Sequence, residues 1–172
     1  MNITDVNKVY VVGAGTMGSG LAQIYAQSGY QVSLYSRRQQ TLDKAIELSR
    51  SSLETEAEAG LVDAGQISAI LDRIKPTTSL EAGAEDVDFV VETIVENADE
   101  KKKIFKQLDE LCPPRAIFAS NTSFLNIFDI VETSRPEKVL IAHWYTPPQL
   151  IPLVEVVKGP LTDDASAQLV VD

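Results

Sequence analysis

The sequence is poor in cysteine and histidine, and it has no apolar run long enough to cross a membrane. Among 172 residues there is one cysteine, Cys112, so an intramolecular disulfide is excluded and the sequence predicts no metal site. A basic segment followed by an apolar one, the pattern of a secretory leader, does not occur at the N-terminus. These absences predict a protein of a reducing, cytoplasmic compartment.

Basic residues are scarce relative to acidic ones. The chain carries 15 Lys and Arg against 25 Asp and Glu, a net charge of −10. It lacks the basic patch of a nucleic-acid-binding protein and the basic face of a helix that lies on anionic lipid. An apolar content of 44% is sufficient for a folded core, and the length fits one domain. We expect a small-molecule substrate, with no nucleic-acid or membrane partner.

The first part of the chain changes from a strand pattern to a helix pattern and back. Residues 9–12 form a short apolar run, typical of a parallel strand covered on both faces. From Thr16 the apolar residues recur at helical spacing until Gly29, and residues 32–35 resume the strand pattern. This order predicts a β-α-β unit.

An antiparallel pair of helices is expected at about residues 39–75, inserted into the β-α-β pattern. The first helix is closed by Gly60. Asp63 is expected to cap the second helix, whose apolar stripe runs to Ile74. Pro76 is predicted to end it, because a proline inside a helix removes a backbone hydrogen bond.

The rest of the chain predicts four more strands, at residues 87–94, 116–119, 139–142 and 153–157. A helix capped by Asn97 and stopped by Pro113 follows the first of them, and a short helical segment at 124–131 follows the second. Strands alternating with helices predict an α/β fold of the Rossmann type, a doubly wound and mostly parallel sheet. Residues 1–172 are predicted to form one dinucleotide-binding domain.

A glycine pattern connects the first strand to the first helix: Gly13-Ala14-Gly15-Thr16-Met17-Gly18. In this context it predicts dinucleotide binding. Gly13 permits the turn, Gly15 lets the backbone approach a pyrophosphate, and Gly18 lets helix and strand pack closely. Thr16 and Met17 are assigned to the same site, because first-turn amides and the helix dipole attract phosphates.

The residue after the second strand predicts the type of cofactor. An acid there binds the ribose 2′-hydroxyl of NAD and repels the 2′-phosphate of NADP. Here Ser36 is followed by Arg37 and Arg38, and a hydroxyl with two guanidinium groups can bind a phosphate. We expect NAD(H) or NADP(H), with these residues favouring acceptance of NADP(H). The alternative is that both arginines are solvated residues at a helix start.

Several polar residues follow strands at the edge where ligands bind in this fold. They are Glu92, Glu96, the segment 120–123 and His143, the only histidine. Glu155 interrupts an apolar strand, where a carboxylate is costly without a partner. A contact between Glu155 and His143 would fix the imidazole tautomer and make His143 a base for removing a hydroxyl proton. A purely structural histidine is the alternative.

Three segments resemble the 3-hydroxyacyl-CoA dehydrogenase family: VVETIVEN at 90–97, ASNTS at 119–123 and PLVEVV at 152–157, together with His143. The resemblance covers essentially the whole chain. It implies an oxidoreductase of fatty acid metabolism that transfers hydride between a nicotinamide cofactor and a 3-hydroxy or 3-keto acyl substrate. It also implies His143 as general acid and base, Glu155 as its orienting partner, and Ser123 as a hydroxyl near substrate and nicotinamide.

The resemblance assigns ligand-binding residues as well. Glu96 and Lys101 match positions that contact the cofactor, whereas helix capping and a solvated face are the alternatives. Thr146 stands where the family has an asparagine close to the nicotinamide. The expected substrate contacts are Ser52, Asn121 and Ser123.

Two features leave the substrate open. Glu54, Glu56 and Glu58 follow Ser52 where CoA-using members carry basic residues, and their carboxylates would repel CoA phosphates. The double proline at 147–148 resembles relatives that act on small hydroxy acids or diketones, such as the gulonate dehydrogenase branch. An acyl-CoA and a small non-CoA compound therefore both remain candidate substrates. A non-catalytic cofactor-binding or redox-sensing module is the alternative to an enzyme.

The family continues into a helical C-terminal domain that dimerises and closes the substrate cleft. In this chain eight residues follow a predicted helix start at 162–164, so that domain is expected to be absent. The full-length form is expected to be a homodimer through it. We expect the isolated chain to bind cofactor with little turnover.

Overall fold

The computed structural model describes residues 3–171, and residues 1, 2 and 172 of the predicted domain lie outside the described part. The strands of that part are β1 (Lys8–Val12), β2 (Gln31–Tyr35), β3 (Ile74–Thr77), β4 (Phe89–Glu92), β5 (Ile117–Ser120), β6 (Val139–Trp144) and β7 (Val154–Lys158). The α-helices are α1 (Thr16–Gln27), α2 (Gln39–Glu58), α3 (Ile67–Asp72), α4 (Leu80–Ala84), α5 (Ala98–Leu111), α6 (Ile127–Ile130) and α7 (Asp164–Val171).

One sheet contains these strands in the order β3-β2-β1-β4-β5-β6-β7. Every neighbouring pair is parallel except β6 and β7. From β1 the chain runs outward through β2 to β3, and then crosses back to build the other half of the sheet from β4. This order is that of a doubly wound sheet whose direction switches between β1 and β4. The predicted Rossmann-type fold is confirmed.

Alternate residues of the central strands fill two cores, one on each face of the sheet. Val9 and Val11 of β1 belong to the core that includes Leu21 of α1. Tyr10 belongs to the opposite core, with Phe105 of α5. Because both faces of β1 are covered, its sequence is a continuous apolar run rather than an alternation of apolar and polar residues.

The second helix of the pair is shorter than predicted, because its last apolar residue belongs to a strand. Helix α3 ends at Asp72, and Ile74 and Pro76 lie in β3, which pairs with β2. A proline is tolerated there because β3 is an edge strand. The prediction that Pro76 ends a helix is therefore wrong, and the helix pair is the crossover from β2 to β3. Helix α4 has no counterpart among the predicted elements.

Other boundaries differ by a few residues. Helix α1 ends before Gly29, which has a φ of +97°. The helical segment predicted at 124–131 is confined to α6. Strand β6 extends to Trp144, so His143 lies inside the sheet instead of after it. None of the helices in residues 3–171 combines the length and the apolar character that crossing a membrane requires.

Candidate active site

Two glycines of the loop between β1 and α1 bring backbone close to backbone. A Cβ at Gly18 would lie 1.8 Å from the carbonyl oxygen of Gly13, and a Cβ at Gly13 would lie 2.7 Å from Thr93 Oγ1. Gly13 also has a φ of +115°, which residues with a Cβ rarely adopt. The sharp turn and the close packing expected at these two positions are both present.

Gly15 has a different environment, because a Cβ there would meet no atom within 4 Å. It is the N-cap residue of α1 and has no side chain to occupy the first-turn amides. The amides of the first turn, to which Thr16 and Met17 belong, are therefore available to an anion at the positive end of the helix dipole. This open cradle of backbone donors fits the diphosphate of a dinucleotide.

A cavity of about 780 Å³ extends from the glycine loop to the end of β2. Its lining includes a hydroxyl and four cationic side chains, those of Ser36, Arg37, Arg38, Lys103 and Lys106. Glu100 lines it too, with Oε2 3.5 Å from Arg37 Nη1. Both of these side chains are exposed, so their ion pair contributes little to stability. The part of the cavity near the end of β2, where Arg37 and Arg38 lie, is therefore cationic, with one carboxylate close to Arg37.

His143 and Glu155 lie opposite each other in the antiparallel pair β6–β7. The distance from His143 Nδ1 to Glu155 Oε2 is 2.8 Å, so the contact expected from the sequence is formed. This hydrogen bond, together with one from the Tyr145 hydroxyl, lowers the pKa of the Glu155 carboxyl. An ionised carboxylate only accepts hydrogen bonds, so Nδ1 carries a proton, and in the neutral imidazole Nε2 then has the lone pair.

The second imidazole nitrogen of His143 faces Ser123. Ser123 Oγ is 3.2 Å from His143 Nε2, and the hydroxyl can donate to the lone pair. The Tyr145 ring packs against the imidazole, with the ring centroids 4.9 Å apart. Tyr145 is absent from the residues predicted for the site. Its spacing of two from His143 could have found it, because residues two apart in an extended segment face the same side.

Glu96 and Lys101 belong to a buried network. Lys101 Nζ is 2.7 Å from Glu92 Oε1 and 3.1 Å from Glu96 Oε2, and 1% of its side chain is exposed. The alternative that Lys101 lies on a solvated face is wrong. Helix α5 is capped by the Asn97 side chain, as predicted, and not by Glu96. Burial by itself raises the pKa of Glu96, but hydrogen bonding from Thr122 and the nearby Lys101 ammonium outweigh it and lower the pKa.

Asn121 and Thr146 each make a contact close to His143. Asn121 Oδ1 accepts a hydrogen bond of 2.8 Å from the Trp144 amide, which ties the end of β5 to β6. The Thr146 hydroxyl is 2.8 Å from Met17 Sδ, in the first turn of α1. Two residues predicted for the cofactor site, Thr146 and Met17, are thus in contact with each other.

Ser52 lines a separate cavity of about 370 Å³ between α1, α2 and residues 147–150. Its hydroxyl donates to Glu56 Oε1 over 2.9 Å. Glu56 is 6% exposed and also accepts hydrogen bonds from two glutamine side chains of α1. From the sequence, Glu56 is grouped with carboxylates that would repel CoA phosphates; in the structure it is buried, and its carboxylate joins α1 to α2. Glu54 and Glu58 are exposed.

The sequence model of one family, described as 3-hydroxyacyl-CoA dehydrogenase, NAD binding domain, matches residues 8–172. The chain belongs to this family. Among relatives of this 3-hydroxyacyl-CoA dehydrogenase domain, the 3-hydroxybutyryl-CoA dehydrogenase of Clostridioides difficile is 40% identical over 156 residues. Those residues are 90% of this chain and 55% of the relative, so the chain spans about half the length of the curated relatives it matches.

Two solved structures show the same fold as this 3-hydroxyacyl-CoA dehydrogenase family member. The 3-hydroxybutyryl-CoA dehydrogenase of Escherichia coli K12 superposes with a TM-score of 0.91 and 37% identity, over 95% of this chain and 35% of that one. A diketoreductase that acts on dicarbonyl compounds superposes with a TM-score of 0.90 and 31% identity, over 96% of this chain and 59% of that one. The nicotinamide class of cofactor expected from the glycine loop agrees with the family.

Proposed function

We propose that the chain carries the cofactor site and the proton-transfer site of an oxidoreductase acting on 3-hydroxy and 3-keto acyl substrates. The observation that carries the proposal is the row Glu155–His143–Ser123, with contacts of 2.8 and 3.2 Å, at the ligand-binding edge of a sheet that also holds the glycine loop. The hydrogen bond to Glu155 leaves Nε2 as the nitrogen that can accept a proton from a substrate hydroxyl. The names of the relatives supply the substrate class.

In the proposed reaction a bound nicotinamide dinucleotide supplies the hydride chemistry. During oxidation His143 Nε2 accepts the proton of the substrate hydroxyl, and the ionised Glu155 stabilises the imidazolium that results. During reduction the imidazolium returns this proton to the substrate oxygen. Ser123 Oγ can donate a hydrogen bond to the same oxygen and hold it within reach of Nε2.

The test of this function is single-turnover reduction of acetoacetyl-CoA by NADH with the chain in excess over substrate, so that a slow reaction is measurable. His143→Gln removes the proton donor of the reduction and is expected to slow the reaction by roughly 10²- to 10⁴-fold. Cofactor affinity should be unchanged, which separates a chemical effect from a binding effect. Equal rates for the wild-type chain and His143→Gln would contradict the proposal.

We further propose that NADP(H) is accepted alongside NAD(H). The support is the cationic end of the 780 Å³ cavity, where the Ser36 hydroxyl and the guanidinium groups of Arg37 and Arg38 can bind a 2′-phosphate. The measurement is a titration of the chain with NADH and with NADPH under the same conditions. Clearly tighter binding of NADH would overturn this part of the proposal and leave the proton-transfer site untouched.

For the substrate we propose an acyl-CoA, on the strength of the relatives' names, and retain a small free dicarbonyl compound as the second candidate. The diketoreductase relative and the exposed carboxylates of Glu54 and Glu58, which would repel CoA phosphates, favour the second. Rates with acetoacetyl-CoA and with free keto acids decide between the two. Activity on acetoacetyl-CoA comparable to that on the best free acid would remove the second candidate.

A further inference from the structure

The last residue of β4, Glu92, is fully buried and forms an ion pair with Lys101. Its carboxylate accepts hydrogen bonds from Lys101 Nζ at 2.7 and 2.8 Å, one on each oxygen. Ser120 Oγ donates to Oε2 over 2.6 Å and the Ile94 amide donates to Oε1 over 2.7 Å. A carboxylate is desolvated at high cost unless charge and hydrogen bonds compensate it, and here Glu92 has both an ammonium partner and four hydrogen bonds.

The ammonium of Lys101 joins Glu92 to Glu96. Its N–H groups point to both carboxylates, because Glu96 Oε2 also lies 3.1 Å from Nζ. The site therefore contains two negative charges and one positive charge, and the position of Glu96 depends on how the ammonium is shared. Removing the charge of Glu92 would leave Glu96 as the only anion beside Lys101.

Glu96 in turn holds the segment that carries Ser123. Its Oε1 accepts hydrogen bonds from the Thr122 hydroxyl, from the Ser123 amide at 3.0 Å and from the Phe124 amide at 3.4 Å. Glu92 binds the same segment at its start, through Ser120. Residues 120–124 are thus fixed at both ends by carboxylates that share one lysine.

A continuous series of contacts now runs from Glu92 to the imidazole. It passes through Lys101 and Glu96 to the backbone of Ser123, and from the Ser123 hydroxyl to His143 Nε2. We propose that Glu92 is a positioning residue for the reaction proposed above, holding Ser123 at hydrogen-bond distance from His143 through Lys101 and Glu96. This role rests on the proposed function, but the contact between Ser123 Oγ and His143 Nε2 can be measured without turnover.

The variant Glu92→Gln keeps the size of the side chain and removes its charge. The amide nitrogen of the new side chain would have to face a donor, either the ammonium, the Ser120 hydroxyl or the Ile94 amide. Lys101 then moves towards Glu96, which draws Glu96 Oε1 away from the Ser123 amide. The expected result is loss of the hydrogen bond between Ser123 Oγ and His143 Nε2.

The readout is the pair of imidazole ¹⁵N signals, which are unambiguous because the chain has one histidine. The reference is Ser123→Ala, which removes the hydroxyl itself. In Glu92→Gln the Nε2 signal should move by at least half of the change seen in Ser123→Ala, while the Nδ1 signal, held by Glu155, stays in place. An Nε2 signal identical to that of the wild-type chain would overturn the inference.

Two further variants separate positioning from a general loss of stability. Asp109→Asn also removes a shielded carboxylate, paired with Arg135 at 2.9 Å near the end of α5 that lies away from Glu96, and it should leave both signals unchanged. Should Glu92→Gln not fold, the charge-balanced double variant Glu92→Gln/Lys101→Met replaces it. Glu96 then loses the ammonium that holds it, so a shift of the Nε2 signal is again expected.

The inference and the proposed function fail separately. A shift in Glu92→Gln together with equal turnover in the wild-type chain and His143→Gln would refute the function alone. An unchanged Nε2 signal together with turnover that depends on His143 would refute the positioning by Glu92 alone.

Discussion

Gly15 and Gly18 stand three residues apart at the start of α1, but an added methyl group meets opposite surroundings at the two positions. At Gly18 it would lie 1.8 Å from the carbonyl oxygen of Gly13, a backbone atom that cannot move away without opening the turn. We expect Gly18→Ala to lower the free energy of unfolding by roughly 3 kcal/mol, the upper end of the cost of overpacking. At Gly15 the methyl group would touch nothing within 4 Å.

For Gly15→Ala two small effects oppose each other. Alanine is the poorer N-cap residue, by up to about 1 kcal/mol, and it reduces the conformational entropy of the unfolded chain by a similar amount. Its φ of −76° suits alanine, so the net change should lie within about 1 kcal/mol. The methyl group would nevertheless stand where the backbone is expected to approach a pyrophosphate. We expect NADH and NADPH to bind at least tenfold more weakly, about 1.4 kcal/mol.

The assays are urea unfolding for stability and titration calorimetry for cofactor binding. Gly65→Ala is the matched control, because a Cβ there is in ordinary contact with Asp63 and lies outside the lining of the 780 Å³ cavity. It should change neither quantity by more than about 1 kcal/mol. Wild-type cofactor affinity in Gly15→Ala would refute the assignment of the diphosphate to this loop, whatever the stability of the variant.

Three other predictions follow from single side chains. Ser36→Asp should weaken NADPH binding at least tenfold and leave NADH binding unchanged, measured by titration; equal losses for both cofactors would count against a 2′-phosphate site there. Burial raises the pKa of Asp109, but hydrogen bonds from neighbouring hydroxyls and the Arg135 guanidinium lower it overall. The ionised Asp109 therefore stabilises the folded state above about pH 4, and this stabilisation is lost as the pH falls through the lowered pKa. Urea unfolding should therefore show Asp109→Asn less stable by roughly 2 kcal/mol at neutral pH, with the difference shrinking in acid; a difference independent of pH would contradict this. Glu56→Gln should cost roughly 1–3 kcal/mol because three donors lose an anionic acceptor, whereas the exposed control Glu58→Gln should change stability by less than about 0.5 kcal/mol, and equal effects would refute the buried network.

The sequence predicts well where local pattern and tertiary structure agree. The change of period at Thr16, directly after a glycine pattern, located β1, the loop and α1, because the same residues satisfy the turn, the helix and the core. Ile74 shows the opposite case. It continues the helical spacing of Ile67, Ile70 and Leu71, and only the pairing with β2 places it in a strand. Ile74 is in a strand because it pairs with β2, a segment distant in sequence that a local pattern cannot include.

The burial of Lys101 and Glu56 could not be predicted from the sequence for a related reason. Lys101 stands among Asp99, Glu100 and Lys103 on a helix, a composition typical of a solvated face. Its burial depends on Glu92, which reaches it from a neighbouring strand. The sequence likewise does not distinguish Glu56 from Glu54 and Glu58. Its burial depends on the side-chain amides of two glutamines in α1, which donate hydrogen bonds to it. In contrast, Glu155 was predictable because its apolar neighbours made an unpaired carboxylate too costly.

The pairing of His143 with Glu155 in an antiparallel ladder makes their spacing a property of strand register rather than of the connecting turn. A slip of β7 by one residue would place Val154 or Val156 opposite His143 and turn Glu155 to the other face of the sheet. Insertions or deletions between the two strands can therefore reshape the neighbouring cavity while the pair stays intact, provided that the backbone hydrogen bonds re-form in the same register. The segment at 147–153, which contributes to the lining of the 370 Å³ cavity, is thus the place where an engineer could vary the shape of that cavity while His143 and Glu155 stay opposite each other.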